Sequence, residues 1–203
     1  RAAIEVAQGA TLTTGQRCSA TSRLIVERAI ADVFVDRVAR IFREVRVGHP
    51  LAEDTYMGPL VSEHARTRFL DALAAANAEP VVTGGPLELT PAGAHVAPSL
   101  RRVTRRDRTS PYQQEELFGP DLAVYTVGDL DEAIALANDT DYGLVASLFS
   151  TSRPGWDEFR ARARAGVLHW NRATTGASGR LSFGGLGKSG NHRPAGVMMI
   201  RAC

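Results

Sequence analysis

Lysine is nearly missing from this chain: Lys188 stands alone, and arginine supplies the rest of the 24 basic residues. Against 22 acidic residues this leaves a formal net charge of +2, too small to imply a nucleic acid or an anionic membrane as partner. The arginines are scattered, and the one dense group, Arg101, Arg102, Arg105, Arg106 and Arg108, reads as a solvated loop. Cysteine is scarce too. Cys18 and Cys203 stand near opposite ends of the 203 residues, which is not a secreted disulfide framework. No apolar run approaches the ~20 residues of a membrane helix, so no membrane partner is expected. Arg1 to Ala10 carries Glu5 and Gln8 and lacks the apolar centre of a signal peptide. These absences point to a cytoplasmic, reducing setting. No metal site is expected. The first residue is not Met and Ala2 to Ala10 reads as mid-helix, so the chain is expected to be a fragment of a longer polypeptide.

What is present is an ordinary globular composition, 44% hydrophobic and 23% charged, long enough for one domain with a real core. Arg23 to Val26 reads as a buried strand. Ile30, Phe34, Val38, Ile41, Phe42 and Val45 form one apolar helical stripe, which Gly48-His49-Pro50 ends. Ser62 is a helix N-cap ahead of Phe69, Leu70 and Leu73. Pro80 to Gly85 reads as a strand closed by a turn. Pro86 to Arg108 reads as loop with a weak strand near His95 to Leu100. A strand over Asp121–Val127, a capped helix from Asp129-x-x-Glu132, a strand in Leu144–Phe149, a helix opened by Pro154 and a strand ending at Trp170 follow. Strands alternating with helices predict an α/β fold built on a parallel sheet. Reactive groups in such sheets gather on loops beyond the carboxyl ends of the strands.

Two phosphate-binding patterns fail on context. Gly185-Leu186-Gly187-Lys188-Ser189-Gly190 matches G-x-G-x-x-G, but no strand precedes it and Asn191-His192-Arg193-Pro194 follows it. A P-loop would need a glycine where Ser182 stands. Cys18 is more informative. A lone cysteine is usually a small buried hydrophobe, yet Gly15, Gln16, Arg17, Ser19 and Thr21 are small or polar and place it on a tight loop. Arg17 and backbone N–H groups there favour a thiolate, the nucleophilic form. Cys203 follows an apolar run and has no such context. In Glu115-Glu116-Leu117-Phe118-Gly119-Pro120 the residues alone allow two readings. One is a solvated loop docked by a single Phe; the other is a carboxylate that accepts ribose hydroxyls beside an aromatic that buttresses a flat ring.

Taken in order, Gly15-Gln16-Arg17-Cys18, Glu115 to Pro120, Asn138-Asp139-Thr140-Asp141-Tyr142-Gly143-Leu144 and Ser182 to Gly190 resemble the landmark motifs of the aldehyde dehydrogenase superfamily. The resemblance covers nearly the whole chain. It implies a parallel α/β catalytic domain with helices on both faces, here residues 1–203, truncated at its N-terminal side with most of the cofactor domain absent. It implies that Cys18 attacks an aldehyde to give a thiohemiacetal. Hydride loss to NAD or NADP then leaves a thioester, which water hydrolyses. Glu116 would hold the nicotinamide ribose and Phe118 would pack by the nicotinamide, while the role of Asn171 stays open. The family's general-base glutamate and oxyanion asparagine lie upstream of its nucleophile, and Glu5 does not match the base motif. Ser182 replaces a usual proline.

Trp170-Asn171-Arg172, Thr175-Gly176-Ala177-Ser178 and Gly190-Asn191-His192-Arg193-Pro194 further resemble the N-succinylglutamate 5-semialdehyde dehydrogenase subfamily of bacterial arginine catabolism. Arg172, His192 and Arg193 are then candidates to bind a substrate's carboxylates, or structural ion-pair residues. The partner implied is a small aldehyde, and the assembly a homodimer or homotetramer. Two other readings stay open: a non-catalytic structural or interaction module, and coenzyme A in place of water as acyl acceptor.

Overall fold

A computed structural model of the chain describes residues 1–190 and 195–202. Its centre is a four-stranded sheet made of β1 (Arg23–Glu27), β6 (Asp121–Val127), β5 (Ser99–Arg102) and β2 (Glu79–Val82), in that spatial order. Strands β1 and β5 run parallel to β6 on either side of it, and β2 pairs antiparallel to β5 at the edge. The fold is therefore α/β with a mostly parallel sheet, as the alternation of elements predicts; the antiparallel edge strand departs from that expectation. Pro80 suits an edge because it has no N–H to give a second neighbour, and the register shifts between Pro80 and Val82.

Side chains alternate between the two faces of the sheet. Leu24, Val26, Leu100, Leu122 and Val124 pack with α1 (Ala2–Thr11) and α2 (Ala31–Glu44). Ile25, Ala123, Tyr125 and Val127 face the other way, toward α3 (Glu63–Ala74), Tyr112 of the short α4 (Pro111–Gln114) and α5 (Leu130–Asn138). Period-two alternation with both sets apolar is what a strand covered on both faces requires. A two-stranded ribbon, β3 (Gly85–Pro86) with β4 (Val96–Ala97), lies apart. A second parallel pair, β7 (Val145–Leu148) with β8 (Val167–Trp170), is joined by α6 (Arg153–Arg162), whose Trp156 stacks on Trp170 with ring centroids 5.4 Å apart. A last short helix, α7, covers Met199–Ala202. Among the described residues no helix is long and apolar enough to cross a membrane.

The caps explain where several helices begin. Ser62 Oγ accepts from Ala65 N, Asp129 Oδ1 from Glu132 N and Ser152 Oγ from Gly155 N, each satisfying a first-turn donor. Three local expectations need correction. Helix α2 stops at Glu44, ahead of Gly48-His49-Pro50, because Arg46 and Val47 are drawn into pairing with Tyr56 and Met57. Its buried stripe is Val35, Val38, Ala39 and Phe42, with Ile30 left exposed. The arginine group is not one solvated loop. Arg101 and Arg102 belong to β5, and Arg102, Arg106 and Arg108 reach Asp32, Glu132 and the Asp139–Asp141 pair. Such exposed pairs contribute about 0–1 kcal/mol each.

One carboxylate sits inside this core. Asp121, at the start of β6, is 6% exposed. It accepts hydrogen bonds from Ser99 Oγ and from Tyr112 OH (2.8 Å), and Arg101 Nε lies 4.0 Å away. Burial outweighs these partners and pushes its carboxyl up to about 6. Burial and the adjacent Asp121 hold the Tyr112 phenol far above its ordinary range, so it remains a donor. A folded-state value above the unfolded one favours the folded state below pH ~4, and that contribution is lost as pH rises through about 6. Asp121→Asn is therefore expected to gain stability relative to the unaltered chain between pH 4 and 6.5, by on the order of 3 kcal/mol. Urea unfolding of both chains across that range measures it, and parallel pH profiles would contradict the assignment.

Candidate active site

Cys18 owes its position to a backbone that doubles back after α1. A 3₁₀ turn spans Leu12–Gly15, and Thr13, Thr14 and Gly15 all adopt left-handed backbone, with φ of 57°, 57° and 66°. For two β-branched residues this costs on the order of 1–3 kcal/mol each and needs support from the surroundings. Thr14 Oγ1 donates to Gly58 O (3.0 Å), Arg17 Nε donates to Thr13 Oγ1 (2.7 Å), and Gln16 Oε1 accepts from Val61 N (2.8 Å). The guanidinium of Arg17 is thus engaged with Thr13. The chain then turns at Arg17–Ala20 and returns to α1, where Thr21 N donates to Gly9 O. The turn presents Cys18 exposed to solvent.

Gly15 does more than permit a positive φ. A Cβ there would overlap the Gly119 carbonyl and come within 2.9 Å of Pro120 N. The turn that carries Cys18 and the loop Glu115–Pro120 therefore meet backbone to backbone. Within that loop Leu117, not Phe118, is the residue docked on the apolar core. Glu115 and Glu116 are left exposed, and Phe118 is 38% exposed with φ 57°. Gly119 lies against the Phe69 ring, where a side chain would collide. Desolvation raises the Glu116 carboxyl above its ordinary range, and the nearby Arg68 guanidinium draws it back down. Arg68 also donates to Leu117 O (3.2 Å).

Cys18, Glu115, Glu116 and Leu117 line one cleft of about 890 Å³. Its walls include β1 and β7, each the outer strand of its own sheet. Phe118 stands beside these lining residues and is not one of them. The loop after β8 is stitched to the turn that carries Cys18. Thr174 Oγ1 donates to Ser19 O (2.8 Å) and lies 2.7 Å from Thr21 Oγ1, while Glu5 Oε2 accepts from Ala173 N (3.1 Å). Glu5 is here a loop anchor. Asn171, also left-handed at φ 55°, uses both ends of its amide on Ser150, accepting from its N–H and donating to its carbonyl.

Of the residues singled out in the sequence, the fold brings Cys18 and Glu116 to the same cleft and sets Phe118 at its margin. Arg172 is exposed, does not line the cleft and makes no side-chain ion pair among the described residues. His192 and Arg193 lie outside the described residues. The Gly185–Gly190 segment serves packing. Leu186 N and Lys188 N donate to Gly143 O and Asp141 O, and a side chain at Gly187 would strike the Asp141 carbonyl. The residues missed from sequence are Glu5, Tyr112, Asp121 and Thr174. Each acts through a partner nine or more residues away in the chain, which local pattern does not reveal.

Residues 1–203 match the family model described as Aldehyde dehydrogenase family. Among curated relatives, the N-succinylglutamate 5-semialdehyde dehydrogenase of Caulobacter sp. (strain K31) is 44% identical over 98% of this chain and 40% of its own length. The protein of the same name from Chromohalobacter salexigens is 41% identical over 100% of this chain and 41% of its own. Among solved structures, HpcC from Thermus thermophilus superposes with a TM-score of 0.90 at 30% identity, covering 98% of this chain and 40% of that one. A 1-pyrroline-5-carboxylate dehydrogenase from Thermus, solved with bound NAD, gives 0.89 at 34%, covering 97% of this chain and 38% of that one. The chain thus spans about 40% of the length of the relatives it matches.

The backbone contact at Gly15 predicts an asymmetry between glycines. Gly15→Ala should destabilise the chain by about 2 kcal/mol or more, from collision plus positive φ. Gly179→Ala, where nothing lies within 4 Å, should be neutral or stabilise by up to ~1 kcal/mol. Urea midpoints of the two variants decide it; equal midpoints would mean the two loops do not touch.

Proposed function

This chain belongs to the aldehyde dehydrogenase family, and from that premise we propose that residues 1–203 are the catalytic-thiol part of an NAD(P)-dependent aldehyde dehydrogenase. The observation that carries the reading is the shared cleft: an exposed cysteine on a strained turn, in backbone contact with a loop whose Glu116 lines the same cleft. Cys18 adds to the aldehyde carbon, forming a C–S bond, and the carbonyl oxygen takes a proton to give a thiohemiacetal. When bound, NAD(P) supplies the hydride acceptor. Loss of hydride and of the hydroxyl proton leaves an acyl thioester on Cys18. Water then cleaves the C–S bond and returns the thiol, releasing the carboxylic acid.

The residues present fit one part of the cofactor. The carboxyl group of Glu116, exposed at the cleft, can accept two hydrogen bonds from a ribose diol. Phe118, half-exposed next to it, offers an apolar edge for the nicotinamide. The remaining cofactor groups, the general base and the oxyanion donor are assigned to polypeptide outside residues 1–203. Loss of one oxyanion donor alone typically lowers rate ~10²–10³-fold, so the 203-residue chain by itself is expected to turn over little or nothing.

The substrate we propose is N-succinyl-L-glutamate 5-semialdehyde, a reading supported by the names of the relatives at 44% and 41% identity. Its carboxylates need cationic or hydrogen-bonding partners, for which Arg172, His192 and Arg193 remain the candidates. The exposed Arg172 would have to turn toward the cleft to serve. A cytoplasmic homodimer or homotetramer completes the proposal.

Assayed in a full-length dehydrogenase carrying this chain, Cys18→Ala is expected to abolish NAD(P)H formation from that semialdehyde, and retained turnover would sink the thiol mechanism. Glu116→Gln should raise the KM for NAD(P) by about tenfold, the loss of charge-assisted hydrogen bonds, with the aldehyde KM nearly unchanged.

A further inference from the structure

The loop from Glu115 to Pro120 leaves α4 and re-enters the sheet at β6, and both of its stems are clasped by the same carboxylate. Tyr112, on the outgoing stem, donates its hydroxyl to Asp121 Oδ2 (2.8 Å). Asp121 itself is the incoming stem, and its other oxygen accepts from Ser99 Oγ of β5. The backbone repeats the clasp: Ser99 N donates to Pro120 O and Asp121 N to Gly119 O, both at 2.9 Å. Each carboxylate oxygen has one hydroxyl donor, so the carboxylate plane is fixed, and Tyr112 and Ser99 are fixed with it. The peptide directly before Asp121, Gly119–Pro120, is the one Gly15 rests on.

Stability does not explain an aspartate at this place. The β6 side chains that follow it, Leu122, Ala123, Val124 and Tyr125, are all buried in the core. An apolar residue at 121 would avoid the desolvation that makes this carboxyl costly to ionise. Apolar packing, however, has no direction, whereas two hydroxyl donors on one carboxylate define an orientation. Arg101 Nε, 4.0 Å from Asp121, is too far for a hydrogen bond and contributes charge only.

We propose that Asp121, acting through Tyr112 and Ser99, is a positioning residue that holds the Glu116–Phe118 segment in place and keeps Gly119–Pro120 against the nucleophile turn at Gly15. The inference rests on the proposed cofactor role of that loop for its functional meaning, but its geometry stands independently of any nucleotide.

Hydrogen exchange of the 203-residue chain, followed by mass spectrometry, tests it without a cofactor. The reporters are the amides of Gln114, Glu115 and Asp121, which are bonded within the stems to Ser110 O, Pro111 O and Gly119 O, together with Gln16 in the nucleophile turn, bonded to Thr13 O. Tyr112→Phe removes one hydroxyl and keeps the ring. It is expected to speed exchange at all four amides by about tenfold or more, with the β1–β6 ladder unchanged. Ser99→Ala should do the same to a smaller degree. Adding Asp121→Asn to Tyr112→Phe should add little beyond the larger single effect, the signature of one coupled clasp. Uniform acceleration of loop and ladder would show a merely structural hydrogen bond and overturn the proposal. Acceleration that spares Gln16 overturns the link to the nucleophile turn. If Asp121→Asn does not fold, the Tyr112 and Ser99 variants decide alone. The cofactor reading stands or falls separately on the Glu116→Gln KM.

Discussion

The turn that carries Cys18 and the Gly119–Pro120 peptide can approach as closely as they do only where no side chain stands at the contact on the turn. Gly15 meets that condition. Around this contact the rest of the site is arranged in layers. Gly119 is seated on Phe69, a buried residue of α3, and Asp121, two residues on, begins the central strand. On the other side, the same turn is stitched through Ser19 and Thr21 to the loop that follows β8. The thiol, the acidic loop and the loop after β8 are therefore held by one set of neighbours, although they come from three distant parts of the chain.

The turn itself is built against its own preference. Thr13 and Thr14 sit in left-handed backbone that β-branched residues resist, and they stay there because both hydroxyls are engaged, one with Arg17 and one with Gly58. Strain of this kind is characteristic of sites where the chain must aim a group outward in place of packing it, and it explains why so polar a segment folds tightly enough to present Cys18.

Much of this was legible from residues alone, and the reasons differ by element. β1 and β6 are short apolar runs between helical stretches, a pattern that burial on both faces imposes, and the half-buried β7 and β8 are legible by the same apolar runs. Ser62, Asp129 and Pro154 mark helix starts because capping is chemistry local to four residues. β5 was harder. Ser99-Leu100-Arg101-Arg102 carries two arginines within a stretch rich in Pro and Gly. Only the structure shows Arg101 tucked along the sheet toward Thr83 O and Asp121, with Leu100 wholly buried between strands. The flanks of the Gly185–Gly190 segment are wrong for a phosphate cradle, and the fold uses its glycines to lie against Asp141 and Gly143. Cys18 stood out by the polarity of its neighbours, and Glu116 by motif. Asp121 did not stand out at all. An acid after a Gly-Pro turn looks solvated, and nothing local says that Ser99 and Tyr112 close over it.

The scarcity of lysine takes on a chemical meaning beside the proposed activity. Aldehydes condense with neutral amines to form imines, and guanidinium groups, always protonated, do not compete in that reaction. Here the chain has a single side-chain amine, Lys188, and its Nζ lies 3.0 Å from Asp141 Oδ2, which holds it protonated above the ordinary lysine range. A surface whose positive charge is almost wholly arginine leaves a reactive carbonyl compound few amines to meet before it reaches the thiol.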